Sequence, residues 1–411
     1  MTRRSRSATP PCLLLIVSGL SLTAFTALCL HQRLPMADAL VYRAEGQAVL
    51  RGGDDLYGFT VTEWQLPATY PPFAALLFVP AALLPVTALK ATFLAGNALL
   101  LAVLVHLSAR LSGLATIRLP RRTALCAATA AALWLEPVFQ TVLFGQINLA
   151  LACLILWDLT RPSGARCKGA AVGIAAGIKL TPAIFIAYLL VRGRRREAGT
   201  ATAACAGTVV LGALALPSAS LDFWTRRLYE TDRVGKAWIV DNQSLQGVIA
   251  RALGDPAPGP AVWALPCAAV ALTGLWLAAR AVEDRHAILL TAFTALLVSP
   301  ISWSHHWVWC VPLIAVLLAE GRTRTAALVA LVFTARTMWL LPHEGDLDLQ
   351  LPWWQQPLAS PYPLLLLPTA EYVIARRMST RTGALAPAGP VHCSHDDTAH
   401  RGTAPEPAEH G

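Results

Sequence analysis

The sequence predicts an all-α polytopic membrane protein, a bundle of about 12 membrane helices around a cavity that opens outward. Three observations predict it. Of 411 residues, 55% are hydrophobic and only 14% charged, with a mean hydropathy of +0.52, against roughly 25% charged in soluble domains. The basic residues form short clusters between apolar runs, at 3–6, 110–122, 161–168, 192–196, 280–285, 322–324 and 376–377. The polar motifs fall elsewhere, at the ends or breaks of the same runs. Because cytoplasmic loops carry the excess of Lys and Arg, placing every cluster inside puts every motif outside. The net charge of +9, from 33 basic and 24 acidic residues, is therefore topological, and nucleic acid is not expected as a partner. The nine cysteines are scattered through apolar runs without CxxC or metal-like spacing, so they read as small buried residues.

The elements follow in order from that constraint. Arg3-Arg4-Ser5-Arg6 before the run 12–30, and Ala37-Asp38-Ala39 after it, imitate a cleaved signal. The run's length and the many spans behind it make it an uncleaved first helix, preceded by a cytoplasmic stretch 1–11. Residues 31–70 form an outer loop, in which 39–50 has the apolar positions of a helix lying on the bilayer surface. The run 71–86 is re-entrant or interfacial, since a full crossing there breaks parity, and 89–109 returns inward. Between 122 and 161 the chain goes out and back, turning at Phe144-Gly145-Gln146-Ile147-Asn148. Between 168 and 192 a second hairpin turns at Lys179-Leu180-Thr181-Pro182, where proline removes a helical hydrogen bond.

The arms 169–179 and 181–191 have about 11 residues each, roughly 16 Å of helix against a hydrocarbon core of roughly 30 Å. The tip thus stops below the outer surface, where irregular backbone must be covered by protein or line a wet cavity. One tilted span over 168–191 is the alternative, and it strands a basic cluster outside. Then 197–216 goes out, 217–260 is an outer loop, and 261–279 returns. The run 287–299 goes out to Ser299-Pro300-Ile301-Ser302-Trp303-Ser304-His305-His306-Trp307, and 306–319 comes back. The last pair is 325–341 and 361–375, around an outer loop 342–360. Residues 12–378 form one membrane domain with both termini inside, and the Pro-, Ala- and His-rich 379–411 is a disordered cytoplasmic tail.

Several polar residues can carry chemistry, and each has a plainer reading. Asp38, just beyond the first helix, is a general base if partly desolvated, yet on local grounds aspartate at a helix start is better read as an N-cap. Thr69-Tyr70-Pro71-Pro72-Phe73 stiffens the entry to an apolar run, or is a turn with an interfacial aromatic. Lys179 lies within a membrane segment, where ionisable residues mark function; it can meet a lipid phosphate as a point charge or snorkel to the headgroups. In the outer loop Arg226, Arg227, Arg233 and Lys236 defy the charge rule. An anionic substrate head explains them, as does a solvated charged loop. Asp241-Asn242-Gln243-Ser244 follows. His305 and His306, between Trp303 and Trp307, suit phosphate and sugar contacts or an interfacial aromatic belt. Adjacent histidines lack the i, i+4 geometry of a helical metal site, so no metal is expected there. His392-Cys393-Ser394-His395-Asp396-Asp397 resembles a ligand set but has no partner cluster. No GxGxxG or P-loop pattern is present.

Together these motifs carry a family likeness. Asp38-Ala39-Leu40-Val41-Tyr42-Arg43, Leu56-Tyr57, Thr69-Tyr70-Pro71-Pro72-Phe73, Phe144-Gly145-Gln146-Ile147-Asn148 with Asp158, Gly177-Ile178-Lys179-Leu180-Thr181-Pro182, Arg233-Val234-Gly235, Asn242-Gln243-Ser244-Leu245-Gln246-Gly247 and the Ser299–Trp307 run stand in a specific order and spacing. Over roughly 30–320 the chain resembles the actinobacterial polyprenol-phosphate-mannose-dependent α-(1→2)-mannosyltransferases of glycosyltransferase family 87, which include the phosphatidylinositol mannoside enzymes. The resemblance implies a GT-C-type fold in the plasma membrane with its active site on the extracytoplasmic face. It implies a polyprenyl-phosphate-sugar donor, a glycolipid or lipoglycan acceptor, inversion at the anomeric carbon, and no cofactor. It assigns Asp38 as catalytic base and Lys179, Arg233 and His306 as holders of the donor phosphate. It makes Tyr42, Arg43, Tyr70, Gln146, Asn148, Asn242, Gln243 and His305 substrate contacts. A transporter or lipid flippase is the rival class, for which an internal repeat is missing from the sequence. A non-catalytic scaffold leaves Asp38, Lys179 and the histidine pair without a purpose.

Overall fold

A computed structural model describes residues 11–31, 34–114 and 120–365. The basic clusters at 3–6 and 376–377 and the expected tail, with its His392–Asp397 segment, lie outside the described residues. The fold is helical throughout, apart from one small antiparallel ribbon of β1 (Thr60–Val61) and β2 (Leu66–Pro67) in the first loop.

Helix α1 (Pro11–His31) is followed by α2 (Ala37–Leu50), which covers the stretch 39–50 that the sequence marks as helical. After the ribbon, α3 (Pro72–Leu77) and α4 (Val79–Ala82) are two short helices rather than a crossing. Pro71, Pro72 and Pro80 permit only brief helical starts there. Then come α5 (Val86–Ser112), α6 (Arg121–Ala132) and α7 (Glu136–Phe144), the last two bent by 78°. Gly145, in the left-handed region at φ 70°, ends α7, and α8 (Asn148–Leu159) turns back.

The Lys179 break is a hairpin. Helix α9 (Ala170–Ile178) stops at Lys179, whose backbone is extended, a short 3-10 turn covers Thr181–Ala183, and α10 (Ile184–Val191) returns. Helix α11 (Arg195–Ala215) follows after a tight turn. Along α9, Gly169, Gly173 and Gly177 lie so close to Glu197, Ala201 and Thr208 that an added Cβ would fall 2.1, 2.1 and 1.9 Å from their atoms. The ascending pairs make α9 parallel to α11, while the short turn makes α10 antiparallel to it. The single tilted span over 168–191 is thereby excluded. Asp158, buried at the end of α8, fixes the start of α9: its Oδ2 accepts the N–H groups of Gly169 (2.9 Å), Ala171 (3.0 Å) and Val172 (3.2 Å). A carboxylate on free N-terminal N–H groups is a strong helix cap.

The chain continues through α12 (Pro217–Thr225), α13 (Leu245–Leu253), α14 (Pro260–Arg280), α15 (Asp284–Val298), α16 (Cys310–Ala319), α17 (Thr323–Ala335) and α18 (Gln356–Ala359). Ion pairs and hydrogen bonds gather five of the basic clusters at one end of the bundle. Lys168 pairs with Glu197 (3.5 Å), Arg192 (2.9 Å) and Arg194 with Asp284, Arg285 donates to the Ser112 carbonyl (2.9 Å), and His286 meets Glu320 (2.6 Å). The helices run from there to the end that carries the polar motifs.

Four described helices are individually long and apolar enough to cross a membrane: α1, α5, α11 and α14, with α6 and α7 a fifth if their bent pair counts as one span. The expected count of about 12 includes shorter helices such as α8, α10 and α16, so the structure supports several apolar spans and not that number.

Candidate active site

The centre is built on the turn between α7 and α8. Met36, fully buried with φ 44°, donates its backbone N–H to the Leu143 carbonyl (3.0 Å) and starts α2 against that turn. Gly145 lets them touch: a Cβ there would lie 2.8 Å from the Ala39 Cβ. Asp38 is thus the second residue of α2, behind a Met36 cap with no side-chain bond, so it is not the helix N-cap that its position favoured. Its half-buried carboxylate is hydrogen-bonded by the Gln146 side chain instead. Gly145→Ala adds a left-handed strain of about 1–2 kcal/mol to that clash. We expect a lower unfolding temperature in detergent-solubilised protein, read by intrinsic fluorescence; an unchanged midpoint would refute the close-approach account.

Gln146 joins the acid to a phenol pair. Its Oε1 lies 3.0 Å from Tyr42 Oη and 3.2 Å from Tyr70 Oη, and the two hydroxyls are 3.2 Å apart. The Tyr42 ring is stacked on Phe78 and Tyr70, with centroids at 4.3 and 5.7 Å. Next to Tyr70 sits Lys179. Its Nζ donates to Tyr70 Oη (3.4 Å), Asn148 Oδ1 (3.3 Å) and His306 Nε2 (2.9 Å), and lies 5.2 Å from the Tyr70 ring centroid. An ammonium only donates, so His306 accepts through Nε2 as a neutral ring. Three uncharged acceptors take all three N–H groups, and no carboxylate is in contact. Lys179 is a half-buried cation whose nearest anions are longer-range, an arrangement that suits an anionic ligand.

The carboxyl of Asp38, on α2 outside the apolar spans, is pushed up to about 6. Burial is the main cause; Gln146's hydrogen bond and the Lys179 charge pull it down, and the charge of Asp241 adds to the rise. Glu45, seven residues further along the same face of α2 and 2% exposed, is pushed up to about 8 by burial and then by the Asp38 charge. Asp241 is itself raised by burial, while its contact to the Ser304 N–H (3.0 Å) opposes that rise. Sequence reasoning did not single out Glu45, and it noted Asp241 only as part of a motif.

The other expected site residues separate into two groups. Asn148 belongs to the centre, and its Nδ2 also holds the His305 carbonyl (3.1 Å), as does Thr141 Oγ1 (3.1 Å). His305 contributes that carbonyl rather than its ring, which is 4% exposed and packed edge-on against Phe144. Asn242 and Gln243, both fully buried, spend their amides on backbone: Asn242 bridges the Ala237 and Pro300 carbonyls and the Ser302 N–H, and Gln243 spans the Val240 and Ala359 carbonyls. Through these contacts they hold the 299–307 segment in place. Arg43 donates to the Leu84 carbonyl (3.1 Å). Arg233 donates to the Ala68 carbonyl and lies 5.5 Å from the Tyr57 ring centroid.

The outer basic residues are neutralised internally. Arg226 pairs with Glu230 (2.8 Å), Arg227 with Asp222 (2.8 Å) and Glu230 (3.1 Å), and Lys236 with Asp346 (2.9 Å). Their placement needs no substrate anion. Arg251, not anticipated as important, is 1% exposed and donates to the Trp238, Ile239 and Asn242 carbonyls, fixing the loop that carries Asp241. Among the described residues no group of three His, Cys, Asp or Glu is placed to hold a metal ion.

From Lys179, His306 and Asn148 a small, half-open groove continues between α8, α10 and α15. An acid, a neutral hydrogen-bonding platform, a cation held by uncharged acceptors and an apolar groove thus lie in sequence at one end of the bundle.

Comparison with known proteins agrees with that chemistry. The profile of glycosyltransferase family 87 matches residues 68–300. A polyprenol-phosphate-mannose-dependent α-(1-2)-phosphatidylinositol mannoside mannosyltransferase of Mycobacterium tuberculosis is 33% identical over 410 residues, covering 92% of this chain and 95% of its own length. A phosphatidylinositol pentamannoside mannosyltransferase of the same donor dependence, from Mycolicibacterium smegmatis, is 37% identical over 319 residues, 74% of this chain and 75% of its own. No solved structure matches.

Proposed function

The chain belongs to glycosyltransferase family 87, and from that premise we propose that it transfers mannose from a polyprenyl-phosphate-mannose donor to a phosphatidylinositol mannoside acceptor, forming an α-(1→2) bond with inversion. The observation that carries this reading is the Lys179 ammonium held by three uncharged acceptors beside the Asp38 carboxylate. A membrane transporter or flippase is not favoured, because its charges do not require a raised carboxyl beside a cation held by uncharged acceptors.

The chemistry follows from the placement. Asp38 removes the proton of the acceptor hydroxyl as that oxygen attacks the anomeric carbon. The bond from that carbon to the phosphate oxygen breaks, its electron pair stays on the polyprenyl phosphate, and Asp38 later releases the proton to water. The leaving group is a stable anion, so no general acid is needed. Charge grows on the phosphate as the bond breaks, and a fixed cation and hydrogen-bond donors there lower the barrier. Lys179 is that cation; Tyr42, Tyr70, Gln146 and Asn148 supply fixed hydrogen-bonding groups for sugar hydroxyls. The same reading takes 12–378 as one GT-C-type domain of about 12 spans and re-entrant arms, with the site on the extracytoplasmic face of the plasma membrane. Polyprenyl-phosphate donors reach that face within the bilayer.

Purified protein incubated with polyprenyl-phosphate-mannose and a panel of glycolipid acceptors should yield an α-(1→2)-mannosylated phosphatidylinositol mannoside. Transfer from a soluble nucleotide-sugar, or none from any prenyl donor, would overturn the reading.

The pH profile tests the base. A base acts only when deprotonated, so the rate should rise with pH and level off above about 6, rather than near the usual carboxylate value of about 4. Asp241 raises Asp38, so Asp241→Asn should move this limb to lower pH. A limb that ignores the Asp241 charge would assign it to another group.

A further inference from the structure

We propose that Trp64, at the tip of the β1–β2 ribbon, is a stacking platform for a sugar ring of the acceptor glycan. This rests on the glycosyl-transfer reading and adds where the acceptor's carbohydrate lies. The ribbon packs on α2, the helix that carries Asp38, and its base is pinned to the centre. Tyr57 Oη, ahead of β1, donates to the carbonyl of Tyr70 (2.7 Å), which follows β2 and presents its own hydroxyl to Lys179. Arg233 donates to the Ala68 carbonyl nearby. At the far end the 62–65 loop holds two non-glycine residues in the left-handed region, Thr62 at φ 66° and Gln65 at φ 52°. A β-branched residue there is rare and strained, and such strain persists where the surrounding structure puts it to use. Here it is held by Thr60 Oγ1 on Gln65 Oε1 (2.6 Å), the Gln65 N–H on the Thr62 carbonyl (3.2 Å) and the Trp64 N–H on Thr62 Oγ1 (3.3 Å). What the loop presents is an indole, 51% exposed.

That indole meets Phe144 edge to face, with ring centroids 6.1 Å apart and planes at 76°. Phe144 in turn meets His305 (5.7 Å), and His305 meets His306 (4.8 Å), which accepts from the Lys179 ammonium. A row of four rings thus runs from the phosphate end of the centre to the half-exposed Trp64. Phe144 also precedes Gly145 and Gln146, the turn that touches Ala39 and bonds Asp38, so the row passes beside the base. The electron-rich face of an indole attracts the weakly positive C–H face of a pyranose, while the hydroxyls at the sugar's rim stay hydrated. Two sugar-bearing lipids meet at this centre. The donor has one sugar, bonded directly to the phosphate at Lys179, and that sugar reacts beside Asp38. The acceptor carries inositol and mannose in series, and it alone has further rings to place along the row.

The test uses full-length protein in nanodiscs with two acceptors, a phosphatidylinositol dimannoside and its deacylated, water-soluble glycan. Trp64→Leu keeps an apolar side chain and removes the ring. It should raise KM for both acceptors by roughly tenfold, the scale of a lost aromatic anchor, with kcat and the donor KM unchanged. Trp64→Tyr should recover most of that loss, and Trp353→Leu, at another exposed tryptophan (84%) in the 342–360 loop, should cause none. A penalty confined to the acylated acceptor would make Trp64 a membrane-interface anchor and overturn the proposal. So would an unchanged acceptor KM, or a donor KM that rises in step, the mark of a distorted centre. Binding of the water-soluble glycan, followed by saturation-transfer NMR, needs no turnover, and its absence in wild type also overturns the platform. Glycan bound by wild type and lost in Trp64→Leu, without any transfer, removes the functional reading and leaves the platform standing. An active enzyme whose glycan binding ignores Trp64 removes the platform alone.

Discussion

Asp38→Asn should lower the rate constant for mannose transfer by roughly 10³-fold, within the 10²–10⁴ that a positioned general base contributes. Asparagine keeps the shape of the side chain and can still bond Gln146, so α2, pinned through Met36 to Leu143, stays in place. The unfolding midpoint and the affinity for the donor should therefore be unchanged. This pattern separates a base from a structural carboxylate: a cap residue would show its loss as stability. Asp38 is not the cap of α2, since Met36 occupies that position. Activity above about a tenth of wild type would remove Asp38 from the base role.

Lys179→Met should act on the other substrate. Removing the cation leaves Tyr70, Asn148 and His306 around an apolar side chain and takes away the charge facing the leaving phosphate. We expect kcat/KM for the donor to fall by roughly 10²–10³-fold, the scale of a lost preorganised electrostatic contact, with donor affinity falling as well. Lys179→Arg should not restore it. The ammonium is a point charge whose donors are already matched to three acceptors within 3.4 Å, a cradle that a planar guanidinium does not fit. The substitution has a second signature. Lys179 pulls the Asp38 carboxyl down, so its removal should move the acid limb of the residual activity to higher pH, and an unmoved limb would break the link between the two residues.

Much of this site was legible from the order of residues. Basic clusters separated by apolar runs fixed which breaks lie at the same end, and the structure joins five of those clusters through pairs such as Lys168 with Glu197 and Arg192 with Asp284. The hairpin at Lys179 followed from the shortness of its arms, and Gly169, Gly173 and Gly177 confirm its direction by their contacts with α11. Proximity across sequence was less legible. Asn242 and Gln243 have the residue types of sugar ligands, but both are fully buried and bound to carbonyls contributed by distant segments. Arg226 and Arg227 suggested a substrate anion, although Glu230 lies at the spacing that pairs with both. The local odds favoured a cap at Asp38, and they could not register that the backbone turn at Met36, which takes the cap position, depends on Leu143, more than a hundred residues away. Glu45 left no sequence signal beyond its helical register with Asp38.

The central claim is that Asp38 serves the acceptor proton while Lys179 holds the donor phosphate. Single-turnover measurements with labelled polyprenyl-phosphate-mannose, recording donor binding and sugar transfer on wild type, Asp38→Asn and Lys179→Met, test it most directly. The account predicts that Asp38→Asn binds donor as wild type does and fails to transfer, whereas Lys179→Met loses donor binding. Donor affinity lost to the same extent in both variants, or retained in Lys179→Met, would contradict it.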